Sequence, residues 1–146
     1  MNLYLENKNI IVTGSTGGIG REIVAKLLKE GANLLITGSN EEKLINFSNE
    51  LNNNVKYEVC DLSKLANIDN FLISVEKIFD IKVDVLINNA GITKDNLSIR
   101  MKEQEWEDVI NINLTSVFFM IKGILKLMLK AGSGNIVNMS SVIGTS

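Results

Sequence analysis

The sequence from Asn9 to Gly20 reads NIIVTGSTGGIG, a short strand-like run followed at once by a glycine-rich turn. The run is rich in β-branched residues, which is typical of a buried strand. After the turn, apolar residues recur at helical spacing as far as Leu28. A strand that turns directly into a helix leaves the first amide groups of the helix unpaired, and such groups bind phosphate. The stretch therefore predicts a nucleotide-binding βα unit.

Three glycines in the turn, Gly14, Gly18 and Gly20, have the spacing Gly-x3-Gly-x-Gly. Glycine lets the backbone approach a pyrophosphate where a side chain would clash. The spacing differs from the Gly-x-Gly-x-x-Gly of the common dehydrogenase fingerprint, and a glycine-rich turn with no ligand is the alternative. The strand before the turn and the helix after it favour a dinucleotide. We expect the cofactor to contact the turn at Gly14, Ser15, Thr16, Gly18, Ile19 and Gly20.

The rest of the chain alternates strand-like and helix-like segments, which predicts an α/β fold. The strand-like segments are 9–13, 33–37, 55–59, 83–87 and 134–139, and a long helical pattern covers 104–130. We expect a Rossmann-like, doubly wound parallel sheet with right-handed crossovers, forming one partial dinucleotide-binding domain over residues 1–146. Asn40 and Ser63 are predicted to cap the second and third helices.

Composition limits the class of protein. The chain has 146 residues, of which 45% are hydrophobic and 22% charged, as in a soluble domain. A net charge of −2 argues against a nucleic-acid surface. The absence of histidine and the single cysteine, Cys60, argue against histidine-dependent catalysis, His-ligated zinc and an internal disulfide. The apolar run 114–129 is interrupted by Lys122 and Lys126 and is shorter than the ~20 residues of a membrane span. We expect a soluble, cytoplasmic protein that does not cross a membrane.

Two motifs together identify a family. The turn Thr-Gly-x3-Gly-Ile-Gly is followed, from Asn88, by Asn-Asn-Ala-Gly, and this pair resembles the short-chain dehydrogenase/reductase family. The segment 89–97, with 100–102 and 105–106, resembles the branch of 3-oxoacyl-[acyl-carrier-protein] reductases. The resemblance covers essentially the whole chain but only the front part of that enzyme. It implies the NADPH-dependent reduction of a 3-oxoacyl thioester to the (3R)-hydroxyacyl form in fatty-acid synthesis.

The resemblance also implies roles for individual residues. Asn113 matches the catalytic Asn, which perturbs its helix and holds a water. Ser141, rather than its neighbour Ser140, matches the Ser whose hydroxyl polarises the substrate carbonyl. Asp61 matches the residue that contacts the adenine ring, although a capping Asp is an alternative. The cofactor-lining residues that follow the fourth strand are Asn88, Ala90 and Gly91.

The general acid of the family is a Tyr in a Tyr-x3-Lys pair that follows this Ser. Residues 1–146 contain no such pair after Ser141. Tyr4-x3-Lys8 has the spacing but precedes the first strand, so we interpret it as a coincidence. We therefore expect the isolated chain to be inactive, and to be poorly soluble or to aggregate through the exposed edge of its fifth strand.

The end of the second strand indicates the cofactor. NAD-specific sites usually place an acid there, to hold the ribose 2′-hydroxyl. This chain has Gly38 at that position, so nothing repels a 2′-phosphate. At the positions where the family often has Arg, this chain has Gly17 and Ser39. Hydroxyl groups such as those of Ser39 and Thr37 would take over the role of these arginines at the 2′-phosphate. We therefore favour NADP over NAD.

The resemblance implies an acyl-carrier-protein-bound substrate and a homo-oligomer, usually a tetramer. Lys130 is followed by Ala-Gly-Ser, which departs from the basic patch that such reductases present to the carrier. The helix 118–129 is apolar on more than one face, which fits either a subunit interface or core packing. The alternatives are a short-chain reductase of another carbonyl or alcohol substrate, and a non-catalytic nucleotide-binding fragment.

Overall fold

The computed structural model describes residues 4–80, 82–92 and 97–141. Residues 93–96, part of the segment that resembles the 3-oxoacyl reductases, lie outside the described residues. A 3-10 turn covers Ser98–Arg100 and a π-helical turn covers Asn111–Thr115. The regular elements are, in chain order, β1 (Asn9–Val12), α1 (Gly18–Lys29), β2 (Asn33–Gly38), α2 (Glu41–Glu50), β3 (Lys56–Val59), α3 (Leu65–Phe79), β4 (Val85–Asn88), α4 (Glu103–Ile110), α5 (Ser116–Ala131) and β5 (Asn135–Asn138).

The five strands form one parallel sheet in the order β3-β2-β1-β4-β5. The chain builds the sheet outward from β1 to β3 and then returns to the other side of β1 with β4. This reversal of direction leaves a crevice between β1 and β4 at the carboxyl ends of the strands, where ligands bind in open α/β sheets. The predicted Rossmann-like fold is confirmed.

Apolar layers cover both faces of the sheet. Along β1 the side chains alternate, because successive residues of a strand point to opposite faces. Ile10 and Val12 join a buried cluster with residues of α1 and α2, whereas Ile11 joins a second cluster with α3 and α5. All three are at most 1% exposed. This burial on both faces explains why the central strands read as continuous apolar runs.

Helix capping confirms one prediction and corrects another. The Asn40 side chain accepts a hydrogen bond from the Lys43 amide and caps α2, as predicted. Ser63 does not cap α3, whose N-cap is Lys64. The Ser63 amide instead donates to the Asp61 carboxylate at 3.0 Å. That prediction was wrong because the Ser63 side chain also hydrogen-bonds to the Asp61 carboxylate, which holds it in a local turn one residue before the N-cap.

The long helix predicted over 104–130 is present as Glu103–Ala131, but the π turn interrupts it. By length and composition alone this helix would suffice to cross a membrane, a test that core helices of soluble proteins also pass. Its residues Met120, Ile124 and Leu127 pack into the core against the sheet. On another face Leu114, Phe118 and others are exposed, so two faces are apolar, as predicted. The packed face shows that this helix covers one face of the sheet.

Candidate cofactor site

A cleft of about 180 Å³ lies at the carboxyl ends of β1 to β4. Its walls come from the segments that follow these four strands and from one residue of the π turn. Polar and glycine residues predominate on the β1 and β2 side, and the opposite side is more apolar. The lining residues are Thr13, Gly14, Thr16, Thr37, Gly38, Ser39, Cys60, Asp61, Leu62, Ala90, Gly91, Ile92 and Ile112.

Two glycines of the turn are required by backbone packing. Gly14 has a positive φ of 60°, and a Cβ placed there would lie 2.7 Å from the Cα of Ala90. A Cβ on Gly20 would lie 2.1 Å from the carbonyl oxygen of Gly14. Neither position accepts a side chain, because backbone atoms cannot move aside. Gly18 differs, since a Cβ there meets nothing within 4 Å, so the protein itself does not require this glycine.

The amino end of α1 is open. Its N-cap is Gly17, no side chain caps it, and its first turn contains no acidic residue. Gly18 and Ile19, in the first turn, are exposed, Ile19 at 65%. A helix end of this kind offers free amide groups and the positive end of the helix dipole to an anion. This part of the turn therefore fits a phosphate group.

Thr13 connects the glycine turn to the segment after β4 by hydrogen bonds. Its Oγ1 accepts hydrogen bonds from the amides of Asn89 and Ala90, both at 3.0 Å. The Asn89 side chain in turn donates to the carbonyl of Gly14 at 3.2 Å. These bonds hold the two sides of the crevice together. No role in the site was predicted for Thr13 from the sequence. Its position directly before Gly14, at the end of a buried strand, was the available signal.

Two hydroxyl groups near the end of β2 behave differently. Ser15 is fully buried, and its Oγ donates to the Thr37 carbonyl at 2.9 Å. Its hydroxyl therefore holds β2 in place and does not line the cleft. Thr37 is 2% exposed and lines the cleft, yet its Oγ1 has no hydrogen-bond partner within the described part of the chain. A buried hydroxyl without a partner is costly, so an ordered water or a bound ligand is expected to satisfy it.

The segment after β3 contributes a carboxylate and a thiol. Hydrogen bonds from Ser63 lower the pKa of Asp61, and the charge of Lys64 lowers it further, so this side chain is ionised near neutral pH. Burial raises the pKa of the Cys60 thiol to about 11, and the charges of Asp61 and Glu58 add to that effect. The thiolate is the reactive form of cysteine. Cys60 is therefore an inert part of the cleft wall.

Asn113 lies in the π turn and joins it to the cleft. Its Oδ1 accepts from the Ile92 amide at 2.8 Å, and its Nδ2 donates to the Ile92 carbonyl, also at 2.8 Å. A Cβ on Gly91 would lie 3.2 Å from the Asn113 Oδ1, so the glycine makes this close approach possible. The local perturbation of the helix that the resemblance implied at Asn113 is present as the π turn.

β5 lies beside β4, and none of its residues lines the cleft. Asn88 is aligned with Asn138, and its Nδ2 donates to the Asn138 Oδ1 at 2.9 Å. The Met139 amide donates to the Asn88 carbonyl at 2.9 Å. This pairing carries the chain to Ser141, which is exposed just beyond the end of β5. Tyr4 is also exposed, but it precedes β1 and so belongs to the opposite end of the strands.

The predicted cofactor residues therefore form two groups. Six line the cleft, namely Gly14, Thr16, Ser39, Asp61, Ala90 and Gly91. The other five surround it, in the turn, the first turn of α1 or the end of β4, and are Ser15, Gly18, Ile19, Gly20 and Asn88. Contact with a cofactor is a prediction for all eleven. The cleft adds Thr13, Cys60, Leu62, Ile92 and Ile112, for which no cofactor contact was predicted.

Three features define a Rossmann-type nucleotide-binding protein. They are a parallel sheet with this strand order, an open helix end where the strand order reverses, and a glycine turn held by backbone packing. The family profile described as short chain dehydrogenase matches residues 8–146. The chain therefore belongs to the short-chain dehydrogenase family.

Curated relatives include proteins named 3-oxoacyl-[acyl-carrier-protein] reductase FabG. The one from Rickettsia bellii is 39% identical over 142 residues, covering 97% of this chain and 57% of the relative. Those from Salmonella typhimurium and Escherichia coli are 41% and 40% identical, each covering 98% of this chain and 58% of the relative. The chain thus spans little more than half the length of these proteins.

Solved structures have the same fold. The crystal structure of gox2181 superposes with a TM-score of 0.92 at 27% identity, covering 97% of this chain and 56% of that one. A metagenomic short-chain oxidoreductase in complex with NADP gives a TM-score of 0.89 at 32% identity, covering 97% and 66%. Levodione reductase gives 0.89 at 30% identity, covering 97% and 57%.

Proposed function

We propose that this chain is the cofactor-binding part of an NADPH-dependent 3-oxoacyl-[acyl-carrier-protein] reductase. The observation that carries the proposal is the buried Thr37 hydroxyl, which has no partner among the described residues and lies beside Gly38 in a cleft next to the glycine turn before α1. A nicotinamide dinucleotide supplies the hydride for carbonyl reduction when it is bound. The names of the curated relatives support this substrate class.

The residues of the chain fit such a cofactor from one end to the other. The amides at the start of α1 would hold the pyrophosphate through backbone contacts and the helix dipole. Thr37, Gly38 and Ser39 would surround the ribose and a 2′-phosphate, because no carboxylate at the end of β2 repels it. Asp61 would accept a hydrogen bond at the adenine.

The reaction end would use two polar side chains. The Ser141 hydroxyl would donate to the substrate carbonyl and favour the negative charge that develops on its oxygen. Asn113 keeps its helix in the π-turn geometry through Ile92, and we propose that it holds a water there for proton relay. Residues 1–146 contain no Tyr-x3-Lys pair after Ser141, so we expect these residues by themselves to bind NADPH with little turnover.

Cofactor binding is tested by titrating NADPH into the chain and measuring its fluorescence. We expect saturable binding, and an affinity about tenfold lower for Thr37→Val, since one hydrogen bond is lost. The free energy of unfolding should not fall in this variant, because the hydroxyl has no partner among the described residues. Ser48→Ala is the control, since Ser48 is a buried hydroxyl on α2. Fluorescence that does not change for the wild type would contradict the proposed cofactor.

Catalytic competence is tested in a chimera. Residues 1–146 would replace the matching front part of the Escherichia coli relative, which is 40% identical over 143 residues. We expect the chimera to oxidise NADPH in the presence of a 3-oxoacyl-[acyl-carrier-protein], and Ser141→Ala to reduce that rate by a factor of about 10² or more. A folded chimera that binds NADPH without turnover would contradict the role of Ser141 and Asn113.

A reductase of another carbonyl substrate is the second candidate. The similarity to levodione reductase, at 30% identity over 97% of this chain, favours it. The basic patch for a carrier is also incomplete, since Lys130 is followed by Ala-Gly-Ser. Comparing reduction rates on carrier-bound and on free carbonyl substrates separates the two candidates. For location and assembly we propose a cytoplasmic protein that associates through the apolar outer face of α5.

A further inference from the structure

A buried hydroxyl lies at the end of the π turn. Ser116 is 1% exposed, and its backbone amide donates to the carbonyl of Asn111 in the i→i−5 pattern. Its Oγ lies 2.7 Å from the same carbonyl oxygen and also hydrogen-bonds to the carbonyl of Leu62. A hydroxyl has one proton and two lone pairs, so the two carbonyls compete for that proton. Ser116 therefore links the π turn to the segment after β3.

The π turn is held from two sides of the cleft. On the β4 side, the Asn113 amide group makes two hydrogen bonds to Ile92. On the β3 side, Ser116 contacts Leu62, and both Leu62 and Ile92 line the cleft. Ile112, within the turn, lines it too. The turn is thus a bridge between two walls of the same cleft.

We propose that Ser116 is a positioning residue whose hydroxyl keeps the helix in its π turn and so keeps Asn113 paired with Ile92. A π turn is rare, and the ordinary i→i−4 pattern is its competitor. A change of register by one residue rotates a side chain about 100° around the helix axis, since a turn contains about 3.6 residues. Such a rotation would take the Asn113 amide group away from Ile92. The inference rests on the proposed function in which Asn113 is a catalytic group.

The proposal is tested by amide hydrogen exchange on the chain without cofactor. In Ser116→Ala we expect the Ile92 amide to exchange about tenfold faster, because its acceptor on Asn113 is lost for part of the time. The amide of Ile11, in β1, reports global opening. Ser48→Ala is the matched control, since it removes a buried serine hydroxyl from α2. It should leave the ratio of Ile92 to Ile11 exchange at the wild-type value.

The proposal is overturned if the ratio of Ile92 to Ile11 exchange is the same in Ser116→Ala as in Ser48→Ala. That result would mean that the Ser116 hydroxyl contributes only to global stability. Ser116→Thr keeps the hydroxyl and should fold with wild-type protection of Ile92. Any other behaviour of that variant also overturns the proposal. Since the measurement needs no NADPH, a wild type that fails to bind NADPH contradicts the proposed function and leaves the exchange result standing.

Discussion

β1 and β5 both flank β4, yet they are buried to very different extents. In β1, Ile10, Ile11 and Val12 are at most 1% exposed. In β5, Ile136 is half-buried and Val137 is 44% exposed. β1 has a paired strand on each side and helices over both faces, whereas β5 pairs only with β4 among the described residues. Burial therefore follows the number of covering layers more than the apolar character of the strand.

The same difference separates the two ends of the site. The glycine turn after β1 is enclosed by the backbone of Ala90 and fastened by Thr13. Ser141 follows the exposed strand β5. The cofactor end is thus held by contacts between distant segments, whereas β5 has one paired strand among the described residues. Substitutions should accordingly be costly near β1 and mild near β5.

The largest expected effect comes from Gly20→Ala. The added Cβ would lie 2.1 Å from the Gly14 carbonyl, so the turn must distort, at a cost of about 3 kcal/mol in the free energy of unfolding. Gly18→Ala is the matched control in the same helix, and open space around it predicts a stability that is unchanged or about 0.5 kcal/mol higher. Urea unfolding measures both. Equal stabilities for the two variants would contradict the packing of the turn.

The two strands are compared directly by Val12→Ala and Val137→Ala. Val12 is 0% exposed, so its truncation leaves a cavity and should cost about 2 kcal/mol. Val137 is 44% exposed, and the same truncation should cost less than about 1 kcal/mol. Thermal and urea unfolding of the pair measure the difference. Similar losses in both variants would mean that β5 is as well packed in solution as β1.

Gly38→Asp tests the cofactor choice at the end of β2. A Cβ there meets the Thr16 Oγ1 at 3.7 Å and the Leu44 side chain at 3.8 Å, both ordinary contacts, so the fold should accept it. The new carboxylate repels a 2′-phosphate and accepts from a 2′-hydroxyl. We expect NADPH affinity to fall about tenfold or more and NADH affinity to rise. Fluorescence titrations with both cofactors check this, and an unchanged NADPH affinity would contradict the placement of the 2′-phosphate.

The last prediction concerns Cys60 and is confined to alkaline pH. Burial, with the Asp61 and Glu58 charges, raises its pKa from 9.0 to about 11. The folded protein therefore keeps this proton over a range in which the unfolded chain loses it, and the free energy of unfolding falls as pH rises from about 9 to about 11. Cys60→Ala should flatten that slope. Urea unfolding across this range measures it, and identical slopes would show that the thiol is not shielded.

Most of the fold could be predicted from the residues. The apolar runs, the glycine turn and the helical periods are local patterns, so all five strands and the Asn40 cap were found. Ser63 was misassigned because a capping preference cannot reveal that the Asp61 carboxylate lies closer to its amide. Thr13 was missed because the amides that donate to it, those of Asn89 and Ala90, are distant in sequence. The π turn was expected only through the family resemblance.

The sequence by itself determined the class of protein, because glycine spacing and hydrophobic period are properties of adjacent residues that any chain of this kind must satisfy. Only the tertiary structure decided which of these residues meet around one cleft and why Gly20 tolerates no side chain whereas Gly18 does. It also decided which buried hydroxyl has no partner among the described residues. Those answers depend on contacts between segments that lie far apart along the chain. They also depend on backbone atoms, which are the same in every residue and therefore cannot be distinguished in the sequence.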